Sequence, residues 1–278
     1  MTHERRVDRL NPALILILVD QSESMDEGIA GGPTPKSTAV AEQINNLIYE
    51  LVLRCVKNPR EAPRPYFFVD VIGYSTDGSG HVVLRRELGE SAADPYGLMS
   101  TTELAERPLR IAQVAGNGET LVNRPVWVEP FARGGTPMCA ALDAAGRTAA
   151  NWIQRYPDAF PPIILNLSDG FATDGDPEVW TRRIRSLATS DGNALLFNIN
   201  LSTSAAAPVL FPPAAEGRLN QYAARMFGWS SELPEAMLES ARSQGIPVER
   251  GARAFAYNAD VRALAQFLSV GTSIGRAL

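Results

Sequence analysis

Two histidines and two cysteines are all that 278 residues hold of either type, and that scarcity excludes several chemistries. A zinc centre built from His and Cys lacks ligands, and a Ser-His-Asp triad has only His3 and His81 to draw on. Cys55 and Cys139 each lie inside an apolar helical pattern, so they read as buried thiols of a reducing compartment. Positive charge is short as well: 26 Lys and Arg stand against 31 Asp and Glu, a net charge of −5, with no long basic run. Without a Lys/Arg stripe to neutralise phosphates, nucleic acid is not an expected partner.

Long apolar runs are also missing. Residues 13–19 form an unbroken apolar stretch, but its length is far below the roughly 18 residues of a membrane span, and no other stretch approaches that figure. Arg5, Arg6 and Arg9 precede it in the manner of a secretion signal. The run nevertheless starts after Pro12 and ends in Asp20-Gln21-Ser22-Glu23-Ser24, with no small-residue cleavage pattern. The expectation is a cytoplasmic protein without a membrane span.

What is present is the composition of a folding chain, 45% apolar and 21% charged. Residues 14–19 are apolar at every position, which is the pattern of a strand covered on both faces of a parallel sheet. Similar runs recur at 67–72, 163–167 and 194–199, with a weaker one at 253–257. Helical periods lie between them. Val40, Ile44, Leu47, Ile48, Leu51, Val52 and Cys55 share one face behind Thr34-Pro35; Met138, Ala141, Leu142, Ala145, Ala149 and Trp152 do so behind Thr136-Pro137. Further helices are expected from Asp176-Pro177 to near Asp191-Gly192, from Pro234, and after Asn258 or Asp260. Strands alternating with helices imply an α/β fold: a doubly wound, Rossmann-like open sheet of six strands, mostly parallel with one antiparallel edge and helices on both faces. Two stretches interrupt the alternation. Residues 75–133 hold an edge strand at 81–88, a short helix behind the capping box Ser100-x-x-Glu103, and a strand around Val126-Trp127-Val128. Residues 202–233 are rich in proline and small residues and read as a connector, with Trp229 in a loop where it could be open to solvent. Both are expected as insertions on a single domain of 1–278 with its core at about 12–270.

Ligands of open α/β sheets bind beyond the carboxyl ends of the strands. Three segments there carry oxygen donors. Asp20-x-Ser22-x-Ser24 follows the first strand, and its spacing turns three side chains the same way. Ser168-Asp169-Gly170 follows the strand at 163–167, and Gly134-Gly135-Thr136-Pro137 precedes the second long helix. Asp20, Ser22, Ser24, Thr136 and Asp169 make an all-oxygen set with two carboxylates, suited to Mg²⁺ or Mn²⁺ with water ligands; Ca²⁺ asks for more carboxylates and is less suited. A coordination position left open would accept a partner's carboxylate.

These three segments, in this order, resemble the metal-ion-dependent adhesion site of von Willebrand factor type A (VWA) domains, and the resemblance runs from residue 14 to about 268. It implies that Asp20, Ser22, Ser24, Thr136 and Asp169 hold Mg²⁺ and that an Asp or Glu side chain of a protein partner binds it, without enzymatic activity. Within that family, Gly-Gly-Thr-Pro-Met-Cys-Ala-Ala-Leu, Leu-x-Leu-Ser-Asp-Gly-x-x-Thr-Asp and Trp229-Ser230-Ser231-Glu232-Leu233-Pro234 look most like the bacterial intracellular branch associated with tellurite resistance. Such proteins often accompany Ser/Thr kinases and PP2C-like phosphatases in stress or defence systems, which are therefore the implied partners.

Two other readings stay open on the residues: a Mg²⁺-dependent hydrolase or phosphotransferase using Asp20 and Asp169, which lacks a positioned general base, and a metal-free scaffold. The segment 28–37 carries Lys36-Ser37 but not the preceding glycine of a phosphate-binding loop, so nucleotide binding is not expected there. Asp26 and Glu27 are expected as solvated loop acids, and Asp174 and Asp176 as turn and cap residues.

Overall fold

In the computed structural model of the protein, residues 3–115, 121–215 and 219–274 are described. The elements in chain order are β1 (Ala13–Asp20), α1 (Lys36–Arg54), β2 (Phe67–Thr76), β3 (Val82–Arg86), β4 (Met99–Ser100), α2 (Thr101–Glu106), β5 (Arg110–Ala115) and β6 (Leu121–Val126). They continue with α3 (Met138–Arg155), β7 (Ile163–Ser168), α4 (Glu178–Ser186), β8 (Ala188–Thr189), β9 (Gly192–Asn193), β10 (Leu195–Leu201) and β11 (Val209–Leu210). The last are α5 (Gln221–Trp229), α6 (Glu235–Ser243), β12 (Phe255–Ala259) and α7 (Val261–Gly271).

The main sheet runs β11-β12-β10-β7-β1-β2-β3, with β4 also paired to β2. From β12 to β2 every pairing is parallel. The expected antiparallel edge is β3, and the two-residue β11 adds a second at the opposite side. All eight residues of β1 are buried because helices cover both faces. Ile15, Ile17 and Val19 belong to one core with α1, α6 and α7; Leu14, Leu16 and Leu18 belong to the other with α3, α4 and α5. Each such Leu or Ile contributes about 1.5–3 kcal/mol of burial. The chain passes from β1 to β2 on one side and later places β7 on the other, so the strand order reverses between β1 and β7. That reversal opens a crevice at their carboxyl ends.

Three local expectations need correction. Residues 126–128 are not a strand: β6 ends at Val126, and Asn45 of α1 takes over the next backbone groups. Its side chain accepts from the N–H groups of Trp127 (2.8 Å) and Val128 (3.0 Å) and donates to the Val128 carbonyl (2.8 Å). Instead β5 and β6 form a two-stranded antiparallel ribbon apart from the main sheet, in register from Arg110↔Val126. Trp229 is buried, not open, because the expected connector contains α5, capped by the Asn220 side chain on Ala223 N–H and packed through Tyr222, Met226 and Phe227. The helix from Asp176-Pro177 stops at Ser186, and the turn at Asp191 belongs to the β8–β9 hairpin. The capping box at Ser100 and Glu103 forms as expected. Cys55 and Cys139 are both buried free thiols. Among the described residues no helix is long and apolar enough to cross a membrane.

Candidate metal centre

Asp20 is the last residue of β1 and is wholly buried. One carboxylate oxygen accepts from the Ser22 N–H at 2.9 Å and the other from the Ser168 hydroxyl at 2.7 Å. Loss of water pushes its pKa up to about 6, and the Asp169 charge adds to that; the bonds from Ser168 and Ser22 pull the other way. A single tight helical turn, residues 23–26, follows and buries Met25. It turns the Ser22 and Ser24 hydroxyls toward each other at 3.1 Å. Ser24 then donates to Asp169 Oδ1 at 2.8 Å. The two strand ends are therefore joined across the crevice by hydroxyls: Asp20 to Ser168, and Ser22 through Ser24 to Asp169.

Thr136 stands two residues before α3, nearly buried. Its N–H donates to the Thr173 hydroxyl at 3.1 Å, and its carbonyl accepts from Thr173 N–H at 2.9 Å. A Cβ placed on Gly170 would stand 3.9 Å from the Thr136 hydroxyl, which puts that hydroxyl beside the loop carrying Asp169. Gly134 has φ +78° and is pressed against the Thr76 carbonyl at the end of β2, where a Cβ would collide. The Gly134 carbonyl accepts from Glu23 N–H at 2.9 Å, tying this loop to the one after β1. Asp174 caps α3 from the neighbouring loop, accepting from the N–H groups of Cys139 (3.0 Å) and Ala140 (2.8 Å). Asp176 accepts from Glu178 N–H at 3.0 Å, which is the cap role expected of it, and pairs with Arg225 at 2.6 Å.

Beneath the loops a buried polar chain crosses the sheet. The Tyr74 hydroxyl donates to Asn166 at 3.1 Å, Asn166 to Asn198 at 3.1 Å, and Asn198 to the Ser230 hydroxyl at 3.0 Å. Tyr74 is the sheet neighbour of Asp20, so the floor of the crevice is polar from β2 to α5. The Tyr222 hydroxyl is buried there with no hydrogen-bond partner among the described residues, and its ring packs against Phe171 at 4.4 Å. Phe171, two residues beyond Asp169, is 60% exposed and forms part of the rim. A cavity of about 390 Å³ opens between Glu23, Asp26, Asp77, Arg133 and Gly134.

Lys36 is the residue that sequence reasoning missed. Its side chain is 3% exposed, and its ammonium lies 2.5 Å from Asp169 Oδ2 and 3.1 Å from Glu27 Oε2. A signal existed: Lys36 is in phase with Val40, Ile44, Leu47 and Leu51 on the buried stripe of α1, where a charge requires a partner. Glu27, expected to be merely solvated, is that ammonium's outer partner and is itself 60% exposed; Asp26 is exposed as expected.

The donor chemistry fits a hard divalent ion. Among the described residues no group of three or more His, Cys, Asp and Glu side chains converges, so the hydroxyls of Ser22, Ser24 and Thr136 would complete what Asp20 and Asp169 begin. A positive group already rests on Asp169, in the form of the Lys36 ammonium.

No family model and no curated protein matches the sequence. Among solved structures, proximal thread matrix protein 1 from the mussel byssus aligns over 96% of this chain and 47% of its own at 11% identity, with a TM-score of 0.45. The ArnB paralog VWA2 from Sulfolobus acidocaldarius aligns over 69% and 36% at 15% identity, with a TM-score of 0.33. A manganese-loaded TRAP protein from Plasmodium vivax aligns over 94% and 75% at 13% identity, with a TM-score of 0.38. The chain spans about half the length of the mussel protein and about a third of the archaeal one.

Proposed function

We propose that the chain is a VWA-type interaction module that holds Mg²⁺, or Mn²⁺, on Asp20, Ser22, Ser24, Thr136 and Asp169 and thereby captures an acidic side chain of a protein partner. The observation that carries this reading is the hydroxyl-linked pair of carboxylates at the switch point, Asp20 at the end of β1 and Asp169 directly after the adjacent β7. When bound, the ion would supply an open coordination position for a carboxylate oxygen. The chain's own residues do the rest. Asp20 and Asp169 provide the negative charge, Ser168 and Ser22 N–H hold Asp20 in one orientation, and Ser22 and Ser24 present oxygen toward the crevice. Phe171 and Arg133 on the rim give a partner apolar and cationic contacts around the captured carboxylate; an exposed ion pair alone gives little affinity.

The reading extends to a cytoplasmic bacterial stress-response, defence or kinase/phosphatase signalling system, on the sequence likeness alone. A hydrolase gains no support, since neither histidine attends the site: His81 is 80% exposed beside Asp77, and His3 bonds to the Asn193 carbonyl. The test is affinity capture from native lysate in Mg²⁺ with EDTA elution. Partners should elute with EDTA and be lost with Asp20→Ala; recovery of the same partners in EDTA, or on the folded variant, overturns the reading.

A further inference from the structure

We propose that the Lys36 ammonium is a tethered competitor for the metal position: it and a divalent ion are alternative cations for Asp169, and Glu27 retains the ammonium when the ion enters. The inference rests on the metal-site reading above and adds a regulator to it.

The geometry carries it in three steps. First, both oxygens of Asp169 are engaged, Oδ1 by the Ser24 hydroxyl at 2.8 Å and Oδ2 by Lys36 Nζ at 2.5 Å. The Ser24 proton is compatible with a metal on the serine oxygen, which keeps lone pairs free. The ammonium is not compatible, because a second cation beside Asp169 meets like-charge repulsion in a place with little water to screen it. Second, the ammonium has somewhere to go. Glu27 Oε2 is already 3.1 Å away on the solvent side, and Lys36 N–H donates to the Glu27 carbonyl at 2.9 Å. The loop between them is closed by the Gly28↔Pro35 bridge and the bond from Ile29 N–H to the Thr34 carbonyl at 2.8 Å. Glu27 is thus fixed beside Lys36, and release from Asp169 requires only rotation of a flexible four-carbon stem. Third, residue choice agrees. The chain uses Arg at 24 of its 26 basic positions and Lys only at 36 and 57. The basic group inside the crevice is the compact ammonium, a point charge of ion-like shape, and not the forked guanidinium the chain uses elsewhere.

The consequence is a site whose loading follows the free divalent-ion concentration, with Lys36 neutralising Asp169 when the ion is scarce. Titration calorimetry with Mn²⁺ on the full chain tests this. Lys36→Met, which keeps the length and apolar stem, should bind Mn²⁺ at least tenfold more tightly than wild type. Glu27→Gln, which removes the retaining carboxylate, should bind it more weakly. Lys36→Gln serves if Lys36→Met does not fold. A second readout uses the wild-type protein alone: reductive methylation followed by mass spectrometry, with exposed Lys57 as the internal reference. Lys36 should label slowly without the ion and faster with Mn²⁺. Unchanged or weaker affinity in the folded Lys36 variants, or ion-independent labelling while wild type binds Mn²⁺, overturns the inference and leaves the metal site standing. Failure of both wild type and the Lys36 variants to bind Mn²⁺ overturns the site itself.

Discussion

Replacing Asp20 by Asn separates stability from function at the centre of the site. In the folded chain burial raises the Asp20 carboxyl from 3.8 to about 6, so the folded state holds that proton more tightly than the unfolded chain does. Its stability contribution is therefore complete below about pH 4 and is lost as pH rises through 6; above that the charged carboxylate is a standing cost. Holding the proton up to about 6 instead of 3.8 corresponds to about 3 kcal/mol. Asn can occupy the same place. Its carbonyl oxygen accepts from Ser22 N–H, and its amide donates to the Ser168 oxygen, whose proton can turn to the Gly170 carbonyl at 3.2 Å. In EDTA at pH 7.5, Asp20→Asn should exceed wild type in stability by about 1–3 kcal/mol, and the difference should vanish near pH 4. Urea unfolding followed by tryptophan fluorescence from pH 4 to 8 measures it, and other titrating groups cancel between the two proteins. A variant less stable than wild type at pH 7.5, or a difference that does not change between pH 4 and 6, would refute the reasoning.

Three further outcomes are expected. Gly134→Ala forces a side chain into a left-handed backbone position against the Thr76 carbonyl; it should cost about 2 kcal/mol or more, and an unchanged melting temperature would contradict that. Asn198→Ala cuts the buried chain between Asn166 and Ser230 and should cost about 2–3 kcal/mol in urea unfolding; a neutral result would mean the chain contributes no net stability. Phe171→Ala should reduce partner recovery severalfold while the Mn²⁺ dissociation constant stays within about twofold, since the ring is a rim contact and not a ligand; equal recovery would remove Phe171 from the interface.

How much of this could be read from the chain depends on how local the causes are. The unbroken apolar stretch of β1 already implies a strand covered on both faces, and the positions of Asp20 and Asp169 just after such stretches already place them at a common rim. The pairing of Ser24 with Asp169 follows once β1 and β7 are neighbours. Lys36 escaped because its meaning lies in a partner 133 positions away; only its phase on the α1 stripe hinted at burial. Trp229 was misplaced because α5 is nine residues long and preceded by prolines, so its apolar face is short and its cap at Asn220 inconspicuous. The β5–β6 ribbon was hidden for another reason: it packs little, leaving Leu109, Ile111 and Leu121 exposed, so no buried face imposes a clear alternation.

The central claim is that Asp20 and Asp169 hold one divalent ion between them, and Mn²⁺ binding followed by electron paramagnetic resonance on wild type and Asp169→Asn tests it most directly. One Mn²⁺ per wild-type chain, displaced by Mg²⁺ and absent from the folded variant, is the predicted result. Binding that survives Asp169→Asn, or a wild-type chain that takes up no ion, would contradict it.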